Sequence, residues 1–131
     1  MTWIAVALGG ALGSIARHAV NHTIARLAGQ PSALSTAVVN IVGCAIIGAL
    51  AGMIAAGSLR MSPQLRVFVF VGVLGGFTTF SSFGLDTLTL AHNGRTMAAA
   101  TNVLAQVCLG LVAVFLSFSA FASAGPHPVQ P

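Results

Sequence analysis

Residues 75–83 read Gly-Gly-Phe-Thr-Thr-Phe-Ser-Ser-Phe and lie in the middle of a long apolar segment. Two adjacent glycines followed by four hydroxyl residues are unusual in a helix that crosses a bilayer. Because the hydrocarbon core contains no water, a break in backbone hydrogen bonding persists there only inside protein or beside a water-filled path. The hydroxyls alternate with phenylalanines, and the run contains no charge. The pattern predicts a membrane helix broken at mid-depth, with a site for a small ion at the break.

The composition indicates an integral membrane protein. The chain has 131 residues, of which 56% are hydrophobic and 5% are charged, whereas soluble domains are about 45–50% apolar and about 25% charged. So few charged side chains cannot cover a soluble surface. The net charge of +4 comes from scattered arginines with no basic run, and it therefore does not predict nucleic-acid binding.

Four apolar segments are long enough to cross a bilayer, which takes roughly 20 residues. They run over about residues 3–27, 34–56, 65–90 and 97–122. Short connections with turn formers separate them, and Ser62-Pro63 predicts a helix start with proline in the first position. No linker divides the chain. We therefore expect an all-α membrane protein with one four-helix transmembrane domain over residues 1–124, followed by a disordered tail over residues 125–131.

Glycines recur at four-residue spacing in three of these spans: Gly9 with Gly13, Gly48 with Gly52, and Gly72 with Gly76. Apolar attraction between helices is weak in lipid, so helices associate through close backbone approach at small residues. The glycine pairs therefore predict tight helix contacts.

The arginines carry no clear signal for orientation in the membrane. Cytoplasmic loops normally gather Lys and Arg, but Arg60 and Arg66 lie on the side of the termini, and Arg26 and Arg95 lie on the opposite side. One reading is that an unrecognised signal sets the orientation. The favoured reading is dual topology, in which copies insert both ways and pair as an antiparallel dimer. Four short helices offer little interior for a pathway, so the interface between subunits is its natural place.

Few polar residues lie in the spans outside residues 75–83. Thr36 with Asn40, and Asn102 with Gln106, are each four residues apart and share a helix face. Polar groups are costly in a bilayer, so each should bond a partner or line a wet cavity. For Asn102 and Gln106, the sequence leaves interhelical hydrogen bonding and a functional role equally open.

Asp86 is the single acidic residue of the chain. It is either a proton-coupling group or an interfacial partner of an arginine or a histidine. Arg17, near the end of the first span, either extends to the lipid headgroups or draws anions to a wet vestibule. No paired carboxylate, nucleophile with a nearby base or phosphate-binding loop indicates an enzyme.

The chain resembles the Fluc/CrcB family of small fluoride channels over essentially all four helices. The most specific stretch is the run over residues 75–83 with Asp86 after it. Residues 35–43 resemble the second-helix pattern of the family, with its Thr, Asn and Gly. Residues 10–17 resemble the first-helix pattern, which ends in Arg17.

This resemblance implies an antiparallel dimer with two fluoride pathways and one central sodium ion that is structural and not transported. The positions that match the sodium ligands are Gly75 and Thr78, through their backbone carbonyl groups in both subunits. A broken helix leaves carbonyl oxygens without helical partners, and a hard cation takes oxygen ligands.

The resemblance also implies which side chains line the fluoride pathway. Phe80 and Phe83 would turn the positive edges of their rings toward the anion, and Asn40 would donate a hydrogen bond. Thr36 and Ser81 are matched polar positions that would add weaker contacts.

The fourth helix departs from the family pattern at two positions. Asn102 and Gln106 stand where many members carry Tyr and Ser. Both are polar and could still line a pathway. Alternatively, one pathway is degraded, or the chain pairs with a paralogous subunit, so homodimer and heterodimer both stay open.

The expected function is therefore passive, fluoride-specific export across the cell membrane, which lowers intracellular fluoride and its toxicity. Its partners are the fluoride ion, membrane lipid and a second subunit. One alternative is a proton-coupled exporter of the small multidrug-resistance type, which would want a buried carboxylate in the first helix and here has Asp86 as its only candidate. The other is a non-transporting membrane scaffold.

Overall fold

The computed structural model of the protein describes residues 2–29 and 33–124, and within them all regular structure is helical. The elements are α1 (Thr2–Ala28), α2 (Ala33–Ala55), α3 (Pro63–Arg66), a π-helical segment (Val67–Leu74), α4 (Gly75–Phe77), α5 (Phe80–His92) and α6 (Thr96–Ala122). Four spans among these described residues are long and apolar enough to cross a membrane, and the third runs over Pro63–His92. The helices lie within about two residues of the four predicted spans at each end. The predicted tail lies outside the described residues.

Turn residues begin and end the helices at the predicted places. Ser62 caps α3, since its Oγ accepts a hydrogen bond from the Leu65 N–H at 3.2 Å, and Pro63 occupies the first turn. Gly57 and Gly94, which follow α2 and α5, have φ angles of +71° and +73°. That left-handed conformation is open to glycine without a steric penalty.

The glycine pairs lie at the closest helix contacts, as predicted. An added Cβ atom would overlap the backbone of a neighbouring helix at each of these positions: Gly9, Gly13, Gly48, Gly52, Gly72 and Gly76. The pairs on α1 and on the third span meet each other, and the pair on α2 meets α6. Van der Waals packing at glycine therefore holds these helices together, because apolar attraction between helices is weak in lipid.

The spans pack in two main pairs. α1 packs chiefly on the first half of the third span, and α2 packs chiefly on α6. α5 leaves the first pair after the break and packs against α6 and α2. This arrangement brings Asn40 on α2 and Gln106 on α6 to the same depth as the break.

The third span is interrupted at Thr78 and Thr79. Both backbones are extended, with φ and ψ of −81° and 159° at Thr78 and of −154° and 117° at Thr79. The preceding Val67–Leu74 segment is π-helical, a geometry that occurs frequently at functional sites. The interruption agrees with the predicted break, and it falls on the two threonines, whereas Gly75 and Gly76 remain helical.

Candidate functional site

Asn40 on α2 holds the extended backbone at the break. Its Oδ1 accepts a hydrogen bond from the Thr79 backbone N–H at 2.8 Å, and its Nδ2 donates to the Thr79 carbonyl oxygen at 3.0 Å. One side-chain amide therefore satisfies both main-chain polar groups of a residue that has left the helix. An unsatisfied backbone group in a bilayer costs several kcal/mol, so this pairing allows non-helical backbone to persist there.

A line of hydrogen bonds continues from Asn40 across two further helices. Asn40 Nδ2 donates to Gln106 Oε1 at 2.7 Å, and Gln106 Nε2 donates to Asn102 Oδ1 at 2.9 Å. Asn102 Nδ2 donates to Thr87 Oγ1 at 2.8 Å, and Thr87 Oγ1 donates to the Phe83 carbonyl oxygen at 2.8 Å. We call the four side chains Asn40, Gln106, Asn102 and Thr87 the amide chain. It joins α2, α6 and α5, and it runs from the break toward the end of the bundle where α5 ends.

A cavity of about 370 Å³ opens beside the break, between α2, the third span and α6. Its lining includes these predicted site residues: Asn40, Gly75, Thr78, Phe80, Phe83 and Gln106. None of the lining side chains carries a formal charge. A small ion in this cavity would therefore meet dipoles rather than a fixed countercharge, a condition that favours passage over tight binding.

Phe80 and Phe83 form a tilted pair at the start of α5. Their ring centroids are 5.3 Å apart and their planes meet at 50°. Phe83 is buried, whereas Phe80 is 83% exposed in the single chain. Aromatic ring edges carry partial positive charge, so the pair can face an anion without any ionised group.

The two carbonyl groups predicted to bind sodium have both lost their helical donors. In a continuous α-helix, the Thr79 N–H would bond to the Gly75 carbonyl group and the Ser82 N–H would bond to the Thr78 carbonyl group. Instead, the Thr79 N–H donates to Asn40 Oδ1 and the Ser82 N–H donates to Thr79 Oγ1. Carbonyl oxygens suit a hard cation, so the residues at the break fit a structural sodium ion.

A second cavity, of about 1140 Å³, lies at the end of the bundle where α5 ends and α6 begins. Thr36, which is buried, and Asn102 both line it. His18 and Arg95 also line it, whereas Arg17 is half-buried and is not among its lining residues. His18, which follows Arg17 in the sequence, therefore lines this cavity, and Arg17 does not.

The remaining candidates on α5 lie apart from the amide chain. Ser81 is exposed, and its Oγ lies 3.2 Å from Thr79 Oγ1, which makes it part of the hydroxyl cluster that begins the helix. Asp86 lines the larger cavity. Its Oδ2 is buried without a hydrogen-bond partner among the described residues.

Comparison with known proteins identifies the family. The family model described as CrcB-like protein, Camphor Resistance (CrcB), matches residues 4–118. The chain belongs to this family. The match reaches into all four spans, which identifies a multi-pass membrane protein, and the resemblance seen in the sequence is confirmed.

Several proteins are similar to this chain over most of their length, and each is named fluoride-specific ion channel FluC. The protein of Paracoccus denitrificans is 49% identical over 114 residues, which cover 86% of this chain and 88% of that protein. The protein of Methylobacillus flagellatus is 45% identical over 114 residues, with the same coverage. The protein of Rhodospirillum rubrum is 45% identical over 117 residues, which cover 88% of this chain and 91% of that protein. These relatives are named as ion channels and not as enzymes.

Two contributors to the site were missed in the sequence, namely Thr79 and Thr87. Thr79 pairs with Asn40 through its backbone and also caps α5, since its Oγ1 accepts from the Ser82 N–H at 3.2 Å. A threonine directly before a helical stretch is a start signal that could have indicated the cap. The bond from Asn102 to Thr87 depends on how α5 packs on α6, and no sequence pattern indicates it.

Proposed function

We propose that this member of the CrcB family is a channel that conducts fluoride selectively and passively out of the cell. The observation that carries the proposal is the uncharged cavity at the break, where paired phenylalanines lie beside a side-chain amide network. Relatives that match most of this chain are named fluoride-specific ion channels. Ring edges and amide N–H groups can replace part of the hydration shell of a small anion.

No energy source other than the membrane potential is required. Fluoride enters cells as neutral HF, dissociates in the cytoplasm, and leaves as the anion. With a negative interior, each exported charge gains about 2.3 kcal/mol per 100 mV. Passive export of this kind lowers intracellular fluoride and its toxicity.

We further propose that the channel is a dimer of identical chains inserted in opposite orientations. The ring of Phe80, 83% exposed at mid-membrane beside a polar break, is a surface that a second subunit would cover. The arginines also favour neither orientation. If the purified chain alone does not assemble or conduct, pairing with a paralogous subunit replaces the homodimer.

The carbonyl groups of Gly75 and Thr78 would hold a structural sodium ion shared by the two subunits. When bound, the ion would supply positive charge that offsets carbonyl dipoles released from helical bonding. Asn40 and Thr79 keep the backbone extended, so these oxygens stay turned away from helical donors. Exchange of Na⁺ for N-methylglucamine during size-exclusion chromatography should shift the dimer toward monomer. An unchanged elution volume would argue against the ion.

The proposed function is tested with the purified chain in liposomes loaded with potassium fluoride. Valinomycin sets a potassium diffusion potential, the pH is equal on both sides, and an electrode records fluoride release. We expect rapid fluoride release from vesicles that contain the protein and retention of fluoride in protein-free vesicles. Vesicles that contain the protein but are loaded with potassium chloride should retain their chloride, as a chloride electrode would record. Retention of fluoride by vesicles with assembled protein and added sodium would contradict the proposal.

A matched variant separates a channel from a membrane scaffold. Phe80→Ile removes the aromatic edge but keeps a large apolar side chain for a second subunit to cover, so it should lower the fluoride release per assembled protein. Unchanged fluoride tolerance of cells that carry the variant, with neither chain releasing more fluoride than protein-free vesicles, would favour a scaffold.

A further inference from the structure

Two histidines on α1 face the larger cavity together. His18 and His22 are four residues apart, so their side chains are neighbours on one face of the helix. Both line the cavity at the end of the bundle, and both are exposed. Their ring centroids are 6.2 Å apart and their planes meet at 17°. Two imidazoles are therefore directed into the same space with their nitrogens accessible.

The separation of the two rings suits one shared metal ion. A zinc ion lies about 2.0–2.1 Å from a histidine nitrogen, and hence about 3.2 Å from the centroid of that ring. One ion can therefore contact two rings whose centroids are up to about 6.4 Å apart, and the observed 6.2 Å is within this limit. Rotation of the two exposed side chains would bring the nitrogens closer still. Two histidines at this spacing also bind zinc in the helical motif of metalloproteases.

Two oxygen atoms of the same cavity have no hydrogen-bond partner among the described residues. They are Asn21 Oδ1 on α1 and Asp86 Oδ2 on α5; both atoms are buried, and both residues line the cavity. Buried polar atoms in folded proteins are normally paired, and an unpaired one points to a water or an ion that completes the site. An amide oxygen and a carboxylate oxygen can only accept hydrogen bonds. The group that satisfies them is therefore a hydrogen-bond donor or a cation.

The charges around the cavity permit a cation to bind. Among its described lining residues, Asp86 and Arg95 carry formal charges, and these are opposite. Neutral imidazoles add no charge, so no excess of positive charge repels a metal ion.

Water would complete the coordination of such an ion. No third His, Cys, Asp or Glu joins the two histidines as a possible ligand among the described residues, and the cavity of about 1140 Å³ has room for water. Open zinc sites keep water at positions that protein does not fill. Water on a metal ion is a hydrogen-bond donor, and outer acceptors commonly orient metal ligands. Asn21 Oδ1 and Asp86 Oδ2 are acceptors of this kind.

We infer that His18 and His22 form a binding site for a divalent transition-metal ion such as Zn²⁺, with Asn21 and Asp86 as acceptors for the water on that ion. Imidazole ligands favour zinc, nickel and copper, whereas carbonyl and carboxylate ligands favour magnesium and calcium. The site is therefore chemically distinct from the carbonyl site for sodium proposed at the break. It goes beyond fluoride conduction and does not depend on it.

Isothermal titration calorimetry tests the site, with zinc chloride added to the purified chain in detergent, without a histidine tag or a chelator. We expect saturable zinc binding by the wild type and none of magnesium. His18→Asn and His22→Asn should each weaken zinc binding by at least about tenfold. The reason is that residues that only orient a metal ligand contribute 10–100-fold to affinity, and a ligand should contribute no less.

The other two histidines of the chain provide matched controls. His92 is exposed and is not among the residues that line the cavity, and His127 lies near the C-terminus. His92→Asn and His127→Asn should each retain the zinc affinity of the wild type. Asp86→Asn should weaken binding less than His18→Asn or His22→Asn, because it acts through water.

A spectroscopic measurement keeps the test independent of variants at the site. Copper binds nitrogen sites more tightly than zinc, so electron paramagnetic resonance of Cu²⁺ bound to the His127→Asn chain should show coupling to two imidazole nitrogens. Folded wild-type protein that binds no zinc overturns the inference. Zinc affinity unchanged in both His18→Asn and His22→Asn, or a copper spectrum without imidazole coupling, also overturns it. None of these results bears on fluoride release, so the proposed function stands or fails separately.

Discussion

The two halves of the third span are held in place by different physical means. Before the break, the π-helical segment and α4 meet α1 at glycines, where backbones touch without room for a methyl group. After the break, α5 is tied to α6 through the hydrogen bond between Asn102 and Thr87, and the break itself is tied to α2 through Asn40. Close packing at glycines holds the first half in place, whereas hydrogen bonds between side chains hold the second half.

The difference bears on how an ion could pass. Contacts between glycines bring no side-chain donor or acceptor, so the face of the first half that meets α1 acts as a fixed support. Hydrogen-bonded contacts carry donors and acceptors that can also face a cavity, as Gln106 does. In lipid, where both kinds of contact are available to join helices, the chain uses the polar kind on the side where an anion would need partners.

The largest effect is expected from Asn40→Leu, which removes the polar bonds at the break. The Thr79 N–H would lose its partner, at about 1–3 kcal/mol, and the Thr79 carbonyl oxygen would keep only its bond within α5, at a cost of about 0.5–1.5 kcal/mol. The free energy of unfolding should therefore fall by about 1.5–4.5 kcal/mol. Titration with sodium dodecyl sulfate, followed by circular dichroism, measures this change. Asn93→Leu at the exposed turn after α5 is the control and should remain within about 0.5 kcal/mol of the wild type.

A comparison of two alanine variants on α1 tests whether close packing at glycine stabilises the first half of the third span. A Cβ on Gly13 would overlap the Val73 carbonyl oxygen, whereas a Cβ on Gly10 meets no atom within 4 Å. Gly13→Ala should therefore destabilise by about 1–3 kcal/mol. Gly10→Ala, on the same helix, should be neutral or stabilising by up to about 1 kcal/mol. Equal stability of the two variants in the same titration would show that close approach is unimportant there.

A smaller effect is expected from Thr79→Val, which removes the cap of α5 but keeps the backbone pairing with Asn40. Loss of the bond from the Ser82 N–H should reduce stability by about 0.5–2 kcal/mol. Thr79→Ser keeps a hydroxyl group and should retain most of the stability. If thermal unfolding in detergent shows serine and valine to be equally destabilising, the cap contributes nothing.

The smallest effect is expected from Asp86→Asn. Voltage-driven fluoride release should continue at the wild-type rate, because a passive channel needs no titratable group on α5 to couple protons. The measurement is release from liposomes with and without a pH gradient. Loss of release in the variant, or a strict requirement for the gradient in the wild type, would instead support a proton-coupled exporter.

Much of the architecture follows from local features of the sequence. The four spans are apolar over lengths that match the thickness of a bilayer, and the glycine pairs at four-residue spacing mark their closest contacts. The break was also visible, since two glycines and four hydroxyl residues interrupt an apolar segment. These signals depend on neighbours within a few residues, so each can be read along the chain without knowledge of how the helices pack.

The hydrogen-bond partners were decided by the tertiary structure. Asn40 meets Thr79 across 39 positions and Gln106 across 66, and no periodicity reports such distances. The same packing determined that Gln106 bonds to both Asn40 and Asn102, a choice of partners that the sequence had left open. It also determined that His18 lines the larger cavity whereas Arg17 does not. A polar side chain in a membrane must find a partner, and the sequence states this requirement. The identity of the partner depends on which helices lie side by side, and only the folded chain determines that.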